Sequence, residues 1–396
     1  MNDHVAASST GGSMQLSSHE AERLVRDGFD ALRNGRPGDA RERFEKVTQT
    51  GRANSQIWLL LAAACRGQQD LAGEEDALDS LLKLEPRIVR GHIMKADCRA
   101  KAGDDRVALN FYESALLIAA GQQIPNDLVP ELRRAENWVA QFKVRVEQRR
   151  ELALVNRGLP PEQRSPRFRK SLEILSGRTQ IYVQEPTGYY MPELPQIQFY
   201  DTEAFDWVAA VESATSDITD ELKRLMAAGT GDFRPYLQRH SNSPRTDDNH
   251  LLDSGDWSAL FICENGNSSE EMIARCPRTW HAVQSAPLPR ISNSPTIMFS
   301  LLRAGARIAP HTGTHNARLI CHLPLIVPAG CGFRVGNEVR QWEEGKLLIF
   351  DDTIEHEAWN EGDQDRVVLI FDIWRPELSD QERREVGALF SGPALD

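Results

Sequence analysis

The hydrophobic period of this chain changes once, near Ile181, and that change dictates two differently built halves. From about Ser17 to Phe142, apolar residues recur at helical spacing in stretches rich in Ala, Leu, Arg and Glu. This is the pattern of amphipathic helices that bury one face against each other. From Pro295 onward, short β-branched runs replace it: TIMFSLL, RLICHLPLIV, GFRV, KLLIF and RVVLIFDIW. The turns PAGCG, GN and EEGK separate them, and Gly336-Asn337 suits a tight hairpin. Strands at this spacing, with no helices between them, predict an antiparallel sandwich or barrel. The segment 149–178 is basic and polar with Pro160 and Pro161 adjacent, and reads as a linker or a bridging helix. YVQEPTGYYMPELPQIQFYD is extended and proline-punctuated, and Thr202 to Ala228 reads as one or two amphipathic helices.

The helical half repeats itself. Ala40, Phe44 and Glu45 match Ala108, Tyr112 and Glu113 at a shift of 68 residues, twice the 34-residue tetratricopeptide period. Ala77 and Leu81 lie between them, three residues out of register, as a small insertion in the middle repeat produces. Gly28 precedes Ala40 by the twelve residues that separate the small residues of paired helices, and Pro86 stands where the second unit should stop. The segment resembles about three degenerate tetratricopeptide repeats followed by a capping helix, Asn126 to Gln148. Stacked repeats bury a shared core and offer a concave surface to a peptide or protein partner.

Composition narrows the partners. A net charge of −12 argues against a nucleic-acid or anionic-membrane surface. The longest apolar run, Trp58 to Cys65, is too short to cross a bilayer. Residues 1–16 lack a basic stretch followed by an apolar one, so they read as a disordered leader and not a signal peptide. Six cysteines without CxxC spacing fit reduced thiols in a cytoplasmic protein. No motif fixes the oligomeric state.

Four of the ten histidines fall between positions 311 and 356. His311 and His315 are four apart, but Pro310 and Gly313 forbid the regular helix of a zinc-type pair. A better pairing places His311 in the loop before one strand and His356 near the start of another, so that they converge across the mouth of a double-stranded β-helix. Arg366, ten residues after His356, opens the strand RVVLIFDIW. An inward-facing arginine there is suited to a dicarboxylate, which its planar fork binds through two parallel hydrogen bonds.

The motifs HTG, CHLPLIVP, WEEGK, FDDTIEHEAWN and FDIWRPEL, between Ser300 and Leu378, closely resemble the aspartyl/asparaginyl β-hydroxylases, and the resemblance extends weakly back to about Leu194. It implies an iron(II)- and 2-oxoglutarate-dependent dioxygenase that consumes O2 and hydroxylates the β-carbon of Asp or Asn in a peptide or protein. His311 and His356 would bind iron, and Arg366 and Ser300 the cosubstrate. His322 and the Trp257 of GDW would complete the pocket. Ile320 stands where many members carry arginine, and Arg318, two residues earlier, is the nearest replacement. Gly313 occupies the slot that most iron oxygenases fill with a carboxylate two residues after the first histidine. The nearest acids are Asp351, Asp352 and Glu355, of which Asp352 is the best candidate to contact metal-bound water or His356. An alternative within the same catalytic domain is hydroxylation of a small molecule or an acyl chain, as in lipid A hydroxylases. The expected architecture is therefore α+β: an all-α tetratricopeptide-like domain over 17–148, a linker over 149–180, and a double-stranded β-helix (jelly-roll, cupin-like) catalytic domain over 181–396. The helical repeats would recruit a peptide or protein substrate.

Overall fold

A computed structural model describes residues 16–51, 53–229, 233–239, 250–289 and 294–390, so the leader at 1–16 lies outside it save for Leu16. The chain divides into two compact units, residues 1–172 and 173–396.

The first unit is a tetratricopeptide-type stack. Its helices are α1 (Ser18–Arg33), α2 (Pro37–Thr48), α3 (Ser55–Gly67), α4 (Leu71–Leu84), α5 (Val89–Lys101), α6 (Asp105–Ala120) and α7 (Val129–Val155), each packed on the next. Local chemistry fixes their starts. Asn54, Asp70 and Asp104 accept from the backbone N–H groups of Ile57, Gly73 and Val107, capping α3, α4 and α6. The repeat positions Ala40, Phe44, Ala77, Leu81, Ala108 and Tyr112 are all buried. Gly28 is small for a reason: a Cβ there would strike the ring of Phe44. Helix α7 runs to Val155, beyond the expected Gln148, and α8 (Pro166–Leu175) fills much of the segment read as a linker. Pro160 and Pro161 separate the two helices.

In the second unit, strands β1 (Phe199–Tyr200), β2 (Arg234–Pro235), β3 (Trp257–Glu264), β4 (Asn267–Ser268), β5 (Ile297–Leu302), β7 (Arg318–Ile326), β10 (Leu348–Phe350) and β12 (Arg366–Trp374) form a large sheet. Its order is β1-β10-β7-β12-β5-β3-β2, with β4 beside β3. Strands β6 (Arg307–His311), β8 (Cys331–Val335), β9 (Glu338–Arg340) and β11 (His356–Asn360) form a smaller sheet ordered β6-β11-β8-β9. From β5 to β12 the chain passes back and forth between the sheets, the winding of a double-stranded β-helix. Gly336, at φ +57°, makes the two-residue turn between β8 and β9.

Strand alternation sets the layers. Ile297, Phe299 and Leu301 of β5, Leu319, Cys321 and Leu323 of β7, and Val367, Leu369 and Phe371 of β12 join one core. Helices α9 (Val208–Ser213), α10 (Thr215–Ala227), α11 (Glu270–Arg275) and α12 (Pro277–Val283) cover that outer face of the large sheet. The intervening residues, among them Leu302, Ile320 and Val368, face the small sheet in a second core. Helix α13 (Asp380–Phe390) closes the described chain.

Candidate active site

A cavity of about 710 Å³ opens between the two sheets. His311, His356, Arg366, Trp257, Ser300, Arg318 and His322 all line it. His311 is not in a loop, as the sequence suggests, but ends strand β6. Pro310 is tolerated because β6 is the edge of its sheet and pairs only with β11. That pairing sets His311 directly opposite His356. Their rings lie 4.1 Å apart between centroids.

Backbone carbonyls orient both imidazoles. Nδ1 of His311 lies 2.9 Å from the Ala309 oxygen, and Nδ1 of His356 lies 3.1 Å from the Ile354 oxygen. A carbonyl only accepts, so each Nδ1 carries the proton and each Nε2 keeps its lone pair. Burial of the ring lowers the pKa of His311, although the residue as a whole is exposed. Burial, then the neighbouring His311, pushes His356 down to about 3. Two neutral imidazoles are thus presented side by side, the protonation state a metal ligand needs. Among the described residues, no group of three or more His, Cys, Asp or Glu side chains is placed to hold an ion.

The reason lies at Gly313. A Cβ on that residue would fall on the carboxylate of Asp352. Asp352 therefore fills the space that a ligand two residues after His311 would take. Its carbonyl accepts from the Gly313 N–H at 2.7 Å, tying the two turns together. Its Oδ2 accepts from Arg318 Nη2 at 3.3 Å, while Oδ1 is buried without a protein partner. Burial, against the attraction of Arg318, raises its pKa to about 6.

At the other end of the cavity Arg366 is 1% exposed. Its Nε and Nη2 have no hydrogen-bond partner in the protein, and its guanidinium lies 4.7 Å over the Trp342 ring. Burial lowers its pKa to about 10. A buried cation whose donors are unanswered by protein is suited to an anionic ligand. His322, on the neighbouring β7, packs between Phe333 and Phe350 with ring distances of 5.0 and 4.8 Å. Burial, then Arg366 and His356, holds it well below its ordinary pKa, so it is neutral. Trp257 donates from Nε1 to Ser300 Oγ at 3.1 Å, which leaves the Ser300 hydroxyl proton free to donate elsewhere. Among these residues the positive charge comes from Arg366, with the Ser300 hydroxyl beside it, while Nδ1 of the neutral His322 is buried without a protein partner.

The remaining candidates and their neighbours occupy distinct places. Ile320 lines the cavity, and Arg318 is held by Asp352 and Asp372. His315 is buried, stacks on Phe390 and does not line the cavity. Asp351 is a buried anchor. It accepts from Arg375 Nη1 at 2.7 Å, Gln184 Nε2 at 2.5 Å and Thr353 Oγ1 at 2.6 Å, fixing the turn that delivers Asp352 and His356. Asp372 and Tyr236, also on the cavity wall, carried no signal in the sequence beyond the parity of Asp372 with Arg366 on one strand.

Residues 212–376 match the family model described as Aspartyl/Asparaginyl beta-hydroxylase. The human aspartyl/asparaginyl beta-hydroxylase is 35% identical over 183 residues, which is 46% of this chain and 23% of that protein. The ornithine lipid ester-linked acyl 2-hydroxylase of Rhizobium tropici is 38% identical over 180 residues, 45% of this chain and 60% of that one. Among solved structures, the Yersinia enterocolitica type III secretion chaperone SycD with a peptide of the translocator YopD is 17% identical, with a TM-score of 0.31 over 33% of this chain and 96% of its own. The chain thus spans less than two thirds of the length of these curated relatives. Residues 212–376 thus resemble the aspartyl/asparaginyl β-hydroxylase family.

Proposed function

We propose that the chain is an iron(II)- and 2-oxoglutarate-dependent dioxygenase that hydroxylates the β-carbon of an Asp or Asn residue in a peptide or protein. The observation that carries this reading is Arg366, a buried guanidinium with unanswered donors in the same cavity as a neutral histidine pair. Such a site asks for a ligand with a carboxylate at one end and metal-chelating oxygens at the other, which describes 2-oxoglutarate.

In this reading His311 and His356 hold iron through Nε2, and Arg366 with Ser300 binds the distal carboxylate. Trp257 keeps Ser300 turned toward that carboxylate. His322, neutral and wedged among aromatic rings, walls the cosubstrate without adding charge. Iron, when bound, supplies the activation of O2 that side chains cannot provide. The two sheets keep water from the reacting centre, and the exposed position of His311 marks the side from which a substrate reaches it. The helical repeats would recruit that substrate through their concave face. Buried thiols at Cys65, Cys98, Cys276, Cys321 and Cys331 support a reducing, cytoplasmic setting. No helix among the described residues is long and apolar enough to cross a membrane.

A second reading, hydroxylation of an acyl chain or small molecule, draws on the bacterial relative and on the apolar wall formed by Leu237, Leu251, Met298, Ile308 and Ile320. One experiment separates them. The purified chain, given iron(II), 2-oxoglutarate and O2, should form succinate, and Asp- or Asn-containing peptides should gain the mass of one oxygen. Succinate coupled only to acyl substrates would select the second reading, and turnover that survives chelation would end both.

A further inference from the structure

Arg318 is the second cation of the cavity, and its surroundings differ from those of Arg366. Its Nη1 donates to Asp372 Oδ2 at 3.0 Å and its Nη2 to Asp352 Oδ2 at 3.3 Å. Both terminal nitrogens are therefore engaged, by two carboxylates against one positive charge, while Nε is buried without a protein partner. Two carboxylates on two different elements thus already balance the charge of Arg318, and breaking either buried pair is costly.

The far end of this chain of contacts is rigid. Asp372 has a fully buried side chain and sits on β12, next to β7, which carries Arg318. It also accepts from the Thr296 N–H at 2.8 Å and from the Ser294 hydroxyl. The near end is Asp352, whose backbone is tied to Gly313 and whose carboxylate occupies the side-chain space of that glycine. With Oδ2 held by Arg318, the remaining Oδ1 is the atom left without a partner, on the wall that carries His311 and His356.

We propose that Asp372 and Arg318 are positioning residues: Asp372 fixes Arg318, and Arg318 fixes the Asp352 carboxylate over Gly313 so that Oδ1 faces the metal position. The proposal rests on His311 and His356 being metal ligands. Arg318 then acts on the metal through Asp352 and is not a ligand of 2-oxoglutarate. The relay also explains why position 313 carries no side chain. The carboxylate near the metal position comes from the turn before β11 and is aimed from β7 and β12.

The test is a cobalt(II) titration of the full chain under anaerobic conditions, followed by visible absorption, with 2-oxoglutarate binding measured separately by calorimetry. Arg318→Gln should weaken cobalt(II) binding on the order of 10- to 100-fold, the range for residues that orient metal ligands. It should leave 2-oxoglutarate affinity, measured at saturating cobalt(II), within about twofold of wild type, a smaller effect than losing a direct contact. Asp372→Asn, which keeps one acceptor, should weaken cobalt(II) less, and Arg318→Lys should restore part of the loss. Thermal melting of each variant reports the folded fraction. Unchanged cobalt(II) affinity in folded Arg318→Gln, or a loss confined to 2-oxoglutarate or peptide binding, overturns the relay. Failure of wild type to bind cobalt(II) overturns the relay together with the metal site.

Discussion

Removing the charge of Arg366 should move two measurable quantities in opposite directions. Its guanidinium is 1% exposed, with two nitrogens unanswered and the Trp342 face as its main support. Burial depresses its pKa from the ordinary guanidinium value to about 10. At roughly 1.4 kcal/mol for each tenfold change in proton affinity, the charged form loses on the order of 3 kcal/mol in the folded chain. Its contact with Trp342 returns about 1 kcal/mol of that. Arg366→Met, apolar and of similar length, should therefore leave the ligand-free protein as stable as wild type, or more stable by about 2 kcal/mol. Cosubstrate binding should fall at the same time, because a buried carboxylate that loses its charged partner costs about 2–5 kcal/mol, or roughly 30- to 5,000-fold in affinity. Arg366→Lys keeps the charge and loses the fork, so it should bind 2-oxoglutarate weakly without gaining stability. Urea denaturation measures the first quantity and anaerobic calorimetry the second. If Arg366→Met loses several kcal/mol without ligand and still binds 2-oxoglutarate as wild type does, the guanidinium has a structural role and the pocket is misassigned.

Three further outcomes are expected. His311→Ala and His356→Ala should each abolish iron retention, read by metal analysis after gel filtration, since one imidazole cannot hold the ion; near-stoichiometric iron in either variant would refute the pair. In the helical unit Asp97 accepts from Arg134 at 2.6 and 2.9 Å, from Tyr112 Oη at 2.5 Å and from Arg66 at 3.2 Å. Asp97→Ala strands those donors and should cost about 3 kcal/mol in denaturant titration, whereas a loss under 1 kcal/mol would show that the network contributes little. Burial pushes His315 and His356 down to about 3 from an ordinary 6.5. Below 6.5 the unfolded chain takes up protons that the folded one refuses, so stability is full above that pH and is lost as pH falls toward 3. Each histidine should remove about 1.4 kcal/mol per pH unit in that window, and metal-free protein equally stable at pH 7 and pH 5 would contradict their burial.

What could be read in the sequence follows from how locally each feature is encoded. Helices α1 to α6 announce themselves by period, and β5, β7, β8, β10 and β12 by β-branched runs. The small sheet is the harder one to read: β6 carries Pro310 and reads as a loop, and β11, which reads only as a strand starting near His356, carries Glu357 and Asn360. Both belong to the small sheet, where edge position and ion pairs such as Glu357 with Arg307 and Arg334 replace apolar alternation. The site was legible as far as it is linear. His311, His356 and Arg366 stand at fixed spacings, and each lines the cavity. The absent carboxylate at Gly313 was also visible, with Asp352 the best candidate near it, but the geometry that sets Asp352 apart from Asp351 was not. Asp351 and Asp352 are adjacent acids with similar surroundings in sequence. One is buried in a cage with Arg375, Gln184 and Thr353, and the other leans over Gly313. Strand and turn geometry separates them, since the side chains of neighbouring residues point to opposite sides. The same geometry gives Arg318 two acids and Arg366 none, so two arginines that look equivalent in sequence reach the cavity with one charge already balanced and the other still available for a ligand.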